Sequence, residues 1–432
     1  MAMGIRIGAK LTGMSTRLAV SSAVLIAAFL VPMTSGAQSD LAARARALHK
    51  QVPLIDGHND YPWALRELDV GGDFAKADIT EPVPSLMTDI PRLHRGGLGA
   101  QFWSVYVPAE MQGKEAVRAT LEQIDIVHRM TKRWPETFEL ALTADAAERA
   151  FKSGRIGSMI GMEGGHSIDS SMATLRQMYA LGARYMTLTH SLNVPWADSA
   201  TDPPKHNGLS KFGEEVVREM NRLGMLVDLS HVSPDTMKDA LAVSEAPAIF
   251  SHSSARAICN VPRNVPDDVL QLLPKNRGVV MVTFVPGFIS QEVADWNLLE
   301  TSQLQLLRAQ FPSNTAYVNA GIERWRAEHP APRATLRQVA DHIDHIRKVA
   351  GIDHIGLGGD FDGITTVVQG LEDVSKYPDL TAELLRRGYA DDEVKKVLGL
   401  NVLRAWREAE QVAARLQKTR GPSTATIEAL DK

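Results

Sequence analysis

Residues 225–252 read MLVDLSHVSPDTMKDALAVSEAPAIFSH. Two short apolar runs, 225–229 and 248–250, end at His231 and His252, and the segment between them, 234–243, has helical periodicity. Near-continuous apolar runs predict strands buried on both faces, and strand-helix-strand units of this kind build parallel sheets. Both histidines stand where a strand gives way to a loop.

The same unit recurs along the chain. Apolar runs at 52–55, 97–107, 156–162, 183–188, 279–285 and 355–357 lead to His58, a proline, Glu163, His190, Pro286 and Asp360. Helical patterns occupy 116–134, 172–181, 212–223 and 336–349. Eight such strands favour closure into a (β/α)8 TIM barrel, an α/β fold, over an open doubly wound sheet. No G-x-G-x-x-G opens the first helix, which disfavours a dinucleotide-binding sheet. After the seventh strand, residues 289–335 form a polar, helical insertion. Loops that follow barrel strands lie on the active-site face, so this insertion is expected near the substrate.

The composition is that of a globular protein, with 432 residues, 44% hydrophobic and 23% charged. Residues 38–432 are read as one barrel domain. A net charge of −4 with no Lys/Arg-rich run gives no footprint for nucleic acid. At the N-terminus, Arg6, Lys10 and Arg17 precede the uncharged stretch 18–33, and Ser35 and Ala37 supply small residues for cleavage. Residues 1–37 therefore read as a signal peptide, with the mature chain beginning near Gln38. The apolar stretch is shorter than the roughly 20 residues of a spanning helix, so no stable membrane span is expected after cleavage. The expected destination is periplasmic or secreted. Cys259 is the only cysteine, so no intrachain disulfide can form.

In a barrel, catalytic groups gather at the C-terminal ends of different strands. His58, Asp60, Glu163, His190, His231, His252 and Asp360 all stand at such positions, and nearly all can ligate a metal. They outnumber the ligands of one ion, which suggests a two-metal centre bridged by a carboxylate. Glu163 is the bridge by position. His58, Asp60 and Glu163 would hold one ion, and Glu163, His231 and His252 the other. A water shared between two ions would ionise near neutral pH and a carbonyl would be polarised, as amide hydrolysis requires. Asp360 would shuttle the proton, with Asp362 as the competing choice, and His190 would donate to the developing oxyanion. Asp56, His58 and Asp60 alternate and would share one face of an extended chain.

These stretches resemble the renal, or membrane, dipeptidase family of amidohydrolase-type barrels. The matching segments are DGHNDYPW (56–63), EGGHSID (163–169), LTHSLN and PWAD (188–198), DLSHVS (228–233), IFSHSSA (249–255), RNVPDD (263–268), GGDFDG (358–363), GLEDVSKYPDL (370–380) and GLNVLR (399–404). The resemblance implies hydrolysis of free dipeptides by two zinc ions (Zn2+) per subunit, bridged by Glu163 and a hydroxide. It implies that His190 and Arg263 contact substrate and that Asp360 handles the proton. It also implies a homodimer. Arg263 then has a physical role, because a guanidinium fork matches the free carboxylate of a dipeptide. Tolerance for a D-residue at the C-terminal position is left open. The alternative is another binuclear hydrolase acting on lactones, cyclic imides or N-acyl amino acids, which typically offers His-x-His after strand one. This chain has His-x-Asp.

Other candidates are read as structural. His342 and His345 are expected on a solvated helix face, His166 beside the centre without ligating, and Trp63 and Trp196 in packing or in the pocket wall. Glu372 and Asp373 have no assigned chemistry.

Overall fold

The computed structural model describes residues 35–70 and 72–431, so most of the expected signal peptide lies outside the described residues. The strands are β1 (Leu54–Asn59), β2 (Leu98–Ser104), β3 (Phe138–Leu140), β4 (Ile156–Glu163), β5 (Ala183–Thr187), β6 (Leu226–Asp228), β7 (Ile249–Phe250), β8 (Val279–Val282) and β9 (Ile355–Leu357). All pairings between them are parallel, and hydrogen bonds run β2-β1-β9-β8-β7-β6-β5-β4, with β4 returning to β2. Eight strands thus close a (β/α)8 barrel. They coincide with the eight apolar runs of the sequence. The extra strand β3 pairs only with Ile156–Ser158 at the start of β4, leaving the end of β4 to β5.

Strand alternation sorts the core into two clusters. Ile55, Phe102, Met159, Tyr185, Leu226, Ile249, Val279 and Met281 pack together inside the barrel, with Trp406 of the helix Asn401–Leu416 against Phe102. Leu54, Trp103, Ile160, Met186, Val227, Phe250, Val280 and Ile355 face the surrounding helices. Continuing the inward alternation up the strands reaches Glu163 on β4, two steps beyond Met159 by way of Gly161, and, one step beyond Tyr185, Leu226 and Ile249, Thr187 on β5, Asp228 on β6 and Ser251 after β7. The barrel interior therefore changes from apolar to polar immediately below the C-terminal face.

The insertion after β8 forms two helices, Gln291–Gln310 and Thr315–Glu328, with a small core of their own made by Leu307, Val318 and Ile322. Leu298, Leu299 and Leu306 remain exposed. Among the described residues, no helix is long and apolar enough to cross a membrane.

Candidate metal centre

β1 delivers the first two residues. His58 lies within the strand, and Asp60 occupies the N-cap position of the helix Tyr61–Leu65. The end of β1 is tied to the 358–363 loop by two backbone hydrogen bonds, from Asp360 N to the His58 carbonyl (3.0 Å) and from Asp60 N to the Phe361 carbonyl (2.9 Å). Glu163 is the last residue of β4. His190, His231, His252 and Asp360 follow β5, β6, β7 and β9.

The geometry centres on the Glu163 carboxylate. Its Oε2 lies 3.2 Å from His58 Nε2 and accepts the Ser104 hydroxyl at 3.0 Å. Its Oε1 lies 3.0 Å from His231 Nε2 and 3.6 Å from both His252 Nε2 and His190 Nε2. Asp60 Oδ2 is 3.3 Å from His58 Nε2, and the Nε2 atoms of His231 and His252 are 2.9 Å apart. Three overlapping groups have donor atoms within 4.8 Å of one another: His58 with Glu163 and His252, Glu163 with His190 and His231, and His58 with Asp60 and Asp360. His58 Nε2 and Asp60 Oδ1 are buried without a hydrogen-bond partner. Buried polar atoms are ordinarily satisfied, so an orphaned nitrogen and an orphaned oxygen within such a cluster of imidazoles and carboxylates fit a cation site.

The electrostatics follow from this crowding. Burial and the charge of Asp60 and Glu163, opposed by His58 and Arg263, push the Asp360 carboxyl well above its ordinary range. Burial opposes protonation of His58, but Tyr185, Glu163 and Asp60 raise its pKa well above 6.5. Burial lowers His190, and burial together with nearby positive groups lowers His231 and His252 further. Arg263 is 6% exposed, and burial brings its guanidinium down to about 10. Its Nη1 has no partner, and its Cζ lies 5.2 Å from the ring of Phe288.

Several candidates belong elsewhere. Asp56 does not join His58 and Asp60, because a bulge in the β1–β2 register follows it and its carboxylate turns to the 358–363 loop. There it accepts Gly359 N at 2.7 Å and the Tyr377 hydroxyl, and burial raises it to about 6. Asp362 accepts Met87 N at 2.6 Å and anchors the loop preceding Asp89. His342 corrects the expectation of a solvated face. It is fully buried, its Nδ1 accepting from Ala255 N (3.0 Å) and its Nε2 facing the Ile289 carbonyl (3.0 Å). His345 instead pairs with Asp267. His166 bonds the Val107 carbonyl, and Trp196 is fully buried against Phe212. Trp63 is half-buried and meets Tyr106, whose ring stands 5.0 Å from His190. Sequence reasoning missed Tyr106, which has no polar motif around it.

A closed parallel barrel with clustered imidazoles and carboxylates at its C-terminal mouth defines a metal-dependent hydrolase of the TIM-barrel class. The sequence profile of the membrane dipeptidase family, peptidase family M19, matches residues 42–420. The chain belongs to that family and is a metallo-dipeptidase. Similar solved structures share the fold. The probable dipeptidase PvdM from Pseudomonas aeruginosa is 24% identical with a TM-score of 0.76, covering 87% of this chain and 100% of its own. Dipeptidase AC, a metallopeptidase, is 24% identical with a TM-score of 0.69, over 83% and 98%. A metallopeptidase from Rhodobacter sphaeroides, liganded with a phosphinate mimic of the dipeptide L-Ala-D-Ala, is 23% identical with a TM-score of 0.68, over 83% and 99%.

Proposed function

We propose that the chain hydrolyses free dipeptides at a centre of two zinc ions, one held by His58, Asp60 and Glu163 and the other by Glu163, His231 and His252. The observation that carries this reading is the use of both Glu163 oxygens, Oε2 toward His58 and Oε1 toward His231 and His252. A carboxylate flanked by imidazoles at each oxygen is arranged to bridge two cations. When bound, such ions supply an acidic water and a Lewis acid for the scissile carbonyl.

The chain's own groups do the rest. Asp360, whose backbone N is tied to the His58 carbonyl at the edge of the centre, takes the proton of the attacking water and returns it to the leaving amine. His190 donates to the carbonyl oxygen as negative charge develops there. Arg263 has an unpartnered buried nitrogen to give to the substrate's terminal carboxylate, a charge-assisted bond that an amide would forfeit. Trp63 and Tyr106 form an aromatic wall beside His190. Export to the periplasm or exterior is part of the proposal, supported by the basic, apolar and small-residue order of residues 1–37.

The test is a panel of dipeptides with L- or D-residues at the C-terminal position, each paired with its C-terminal amide, before and after chelation and zinc return. The D-residues are included because the ligand of the Rhodobacter sphaeroides protein mimics one. Cleavage of free dipeptides alone, lost on chelation and restored by zinc, is the expected result. Equal cleavage of acids and amides would overturn the role of Arg263, and chelator-resistant cleavage would overturn the metal centre.

A further inference from the structure

The polar layer beneath the centre is not used by the reaction, yet Tyr185, Thr187, Asp228 and Ser251 are all fully buried at or above the apolar cluster of the barrel interior. Two of them touch the far nitrogens of the imidazoles. His58 Nδ1 lies 2.9 Å from the Tyr185 hydroxyl, which lies 3.1 Å from the Gly57 carbonyl. A carbonyl only accepts, so the Tyr185 proton goes to Gly57 and its oxygen receives the proton of His58 Nδ1. His252 Nδ1 lies 2.8 Å from the Ser251 hydroxyl, which donates to Asp228 Oδ2 at 2.6 Å.

Asp228 is fixed as an acceptor. Its Oδ1 takes Ser230 N (3.1 Å) and Ser251 N (2.8 Å), and its Oδ2 also takes the Thr187 hydroxyl (2.5 Å). With its own proton committed to Asp228, Ser251 can only accept from His252. In both imidazoles the ring proton is thereby held on Nδ1, leaving the Nε2 lone pair for a cation beside Glu163. His190 Nδ1 and His231 Nδ1 have no such partner. Space has been made for this arrangement, since a Cβ on Gly161 would lie 2.1 Å from the Tyr185 ring.

We propose that Tyr185 and the Ser251–Asp228 pair are positioning residues that set the affinities of the two ions separately, Tyr185 for the ion on His58 and Asp60, Ser251–Asp228 for the ion on His231 and His252. The inference rests on the binuclear reading above. Each device acts on one histidine only, so damage to one weakens one ion.

The test is zinc affinity and stoichiometry, measured by competition with a chromophoric chelator, together with the visible spectrum of the cobalt(II)-loaded protein. It uses the full-length protein, Tyr185→Phe, Asp228→Asn, Ser251→Ala and Ser251→Thr. Tyr185→Phe keeps the ring packed on Phe102 and removes only the hydroxyl. The expected result is that Tyr185→Phe weakens one of two ions by about 10–100-fold. Asp228→Asn and Ser251→Ala weaken the other, each altering a different part of the cobalt spectrum, and Ser251→Thr restores the original affinity. Variants that bind both ions as tightly as the parent, or that weaken both ions equally, overturn the inference. A parent protein that binds fewer than two ions overturns the binuclear reading instead.

Discussion

The two halves of the centre are built differently. His58 and Asp60 come from one strand end, whose backbone is zipped to the 358–363 loop by hydrogen bonds on both sides of Asn59. His231 and His252 come from successive strands on separate loops, and His231 holds a left-handed φ of +68° with no partner for Nδ1. A left-handed non-glycine residue costs of order 1–3 kcal/mol and persists only where its surroundings over-determine it, and Asp360, beside the first half, shares that conformation at +60°. The first half is positioned by the barrel backbone. The second is also held by backbone, from Ala200 N to the His231 carbonyl (2.7 Å) and from Ser253 N to the Met281 carbonyl (3.0 Å), but it leaves two Nε2 atoms 2.9 Å apart, an arrangement that a shared cation would satisfy. The halves thus differ less in how their backbones are held than in how closely their ligand nitrogens crowd.

Glu163 joins the halves, so the largest effect should come from Glu163→Gln. Dipeptide hydrolysis should fall by more than about 10⁴-fold, with zinc content by atomic emission dropping below two per chain. Retention of both ions would break the comparison at its hinge. Asp360→Asn should cost about 10²–10⁴-fold in kcat while leaving zinc content unchanged, since it removes the proton carrier and neither half. Arg263→Ala should lower kcat/KM for free dipeptides by about 10²-fold, mainly through KM, and leave any slow cleavage of the amides unaltered.

Legibility in the sequence differed in the same way. The eight barrel strands were readable because each is an apolar run, six leading to a polar residue and two to a proline, and 225–252 shows the repeat unit complete. The residues gathered around Glu163 were readable because barrel topology turns strand ends into neighbours. Asp56 misled because alternation assumes a regular strand, whereas the β1–β2 register shifts after it. His342 misled because helical spacing does not say which face a neighbouring loop will cover. The roles of Tyr185, Asp228 and Ser251 depend on inward stacking across strands far apart in sequence. β3 is three residues long, too short for a periodicity to separate it from the turn after Trp134 or from the helix Ala144–Lys152 that follows.

The smallest effects concern the scaffold outside both halves. Burial holds His342 and His49 down to about 4, and the unfolded value is near 6.5. The unfolded chain then binds more protons, so this stability is present above pH 6.5 and is lost as pH falls toward 4. Thermal unfolding should show a falling Tm across that window, with a shallower slope in His342→Asn than in the parent. Leu298→Gln, on the exposed face of the insertion, should change stability by no more than about 0.5 kcal/mol and leave zinc content intact. An effect on zinc content there would tie the insertion to the centre.

The most direct test of the bridged centre is stepwise zinc return to the chelated protein, following dipeptide hydrolysis against equivalents added. The two-ion arrangement around Glu163 predicts that activity becomes complete only at two equivalents per chain, with little recovered before the second ion binds. Full activity at one equivalent would contradict it.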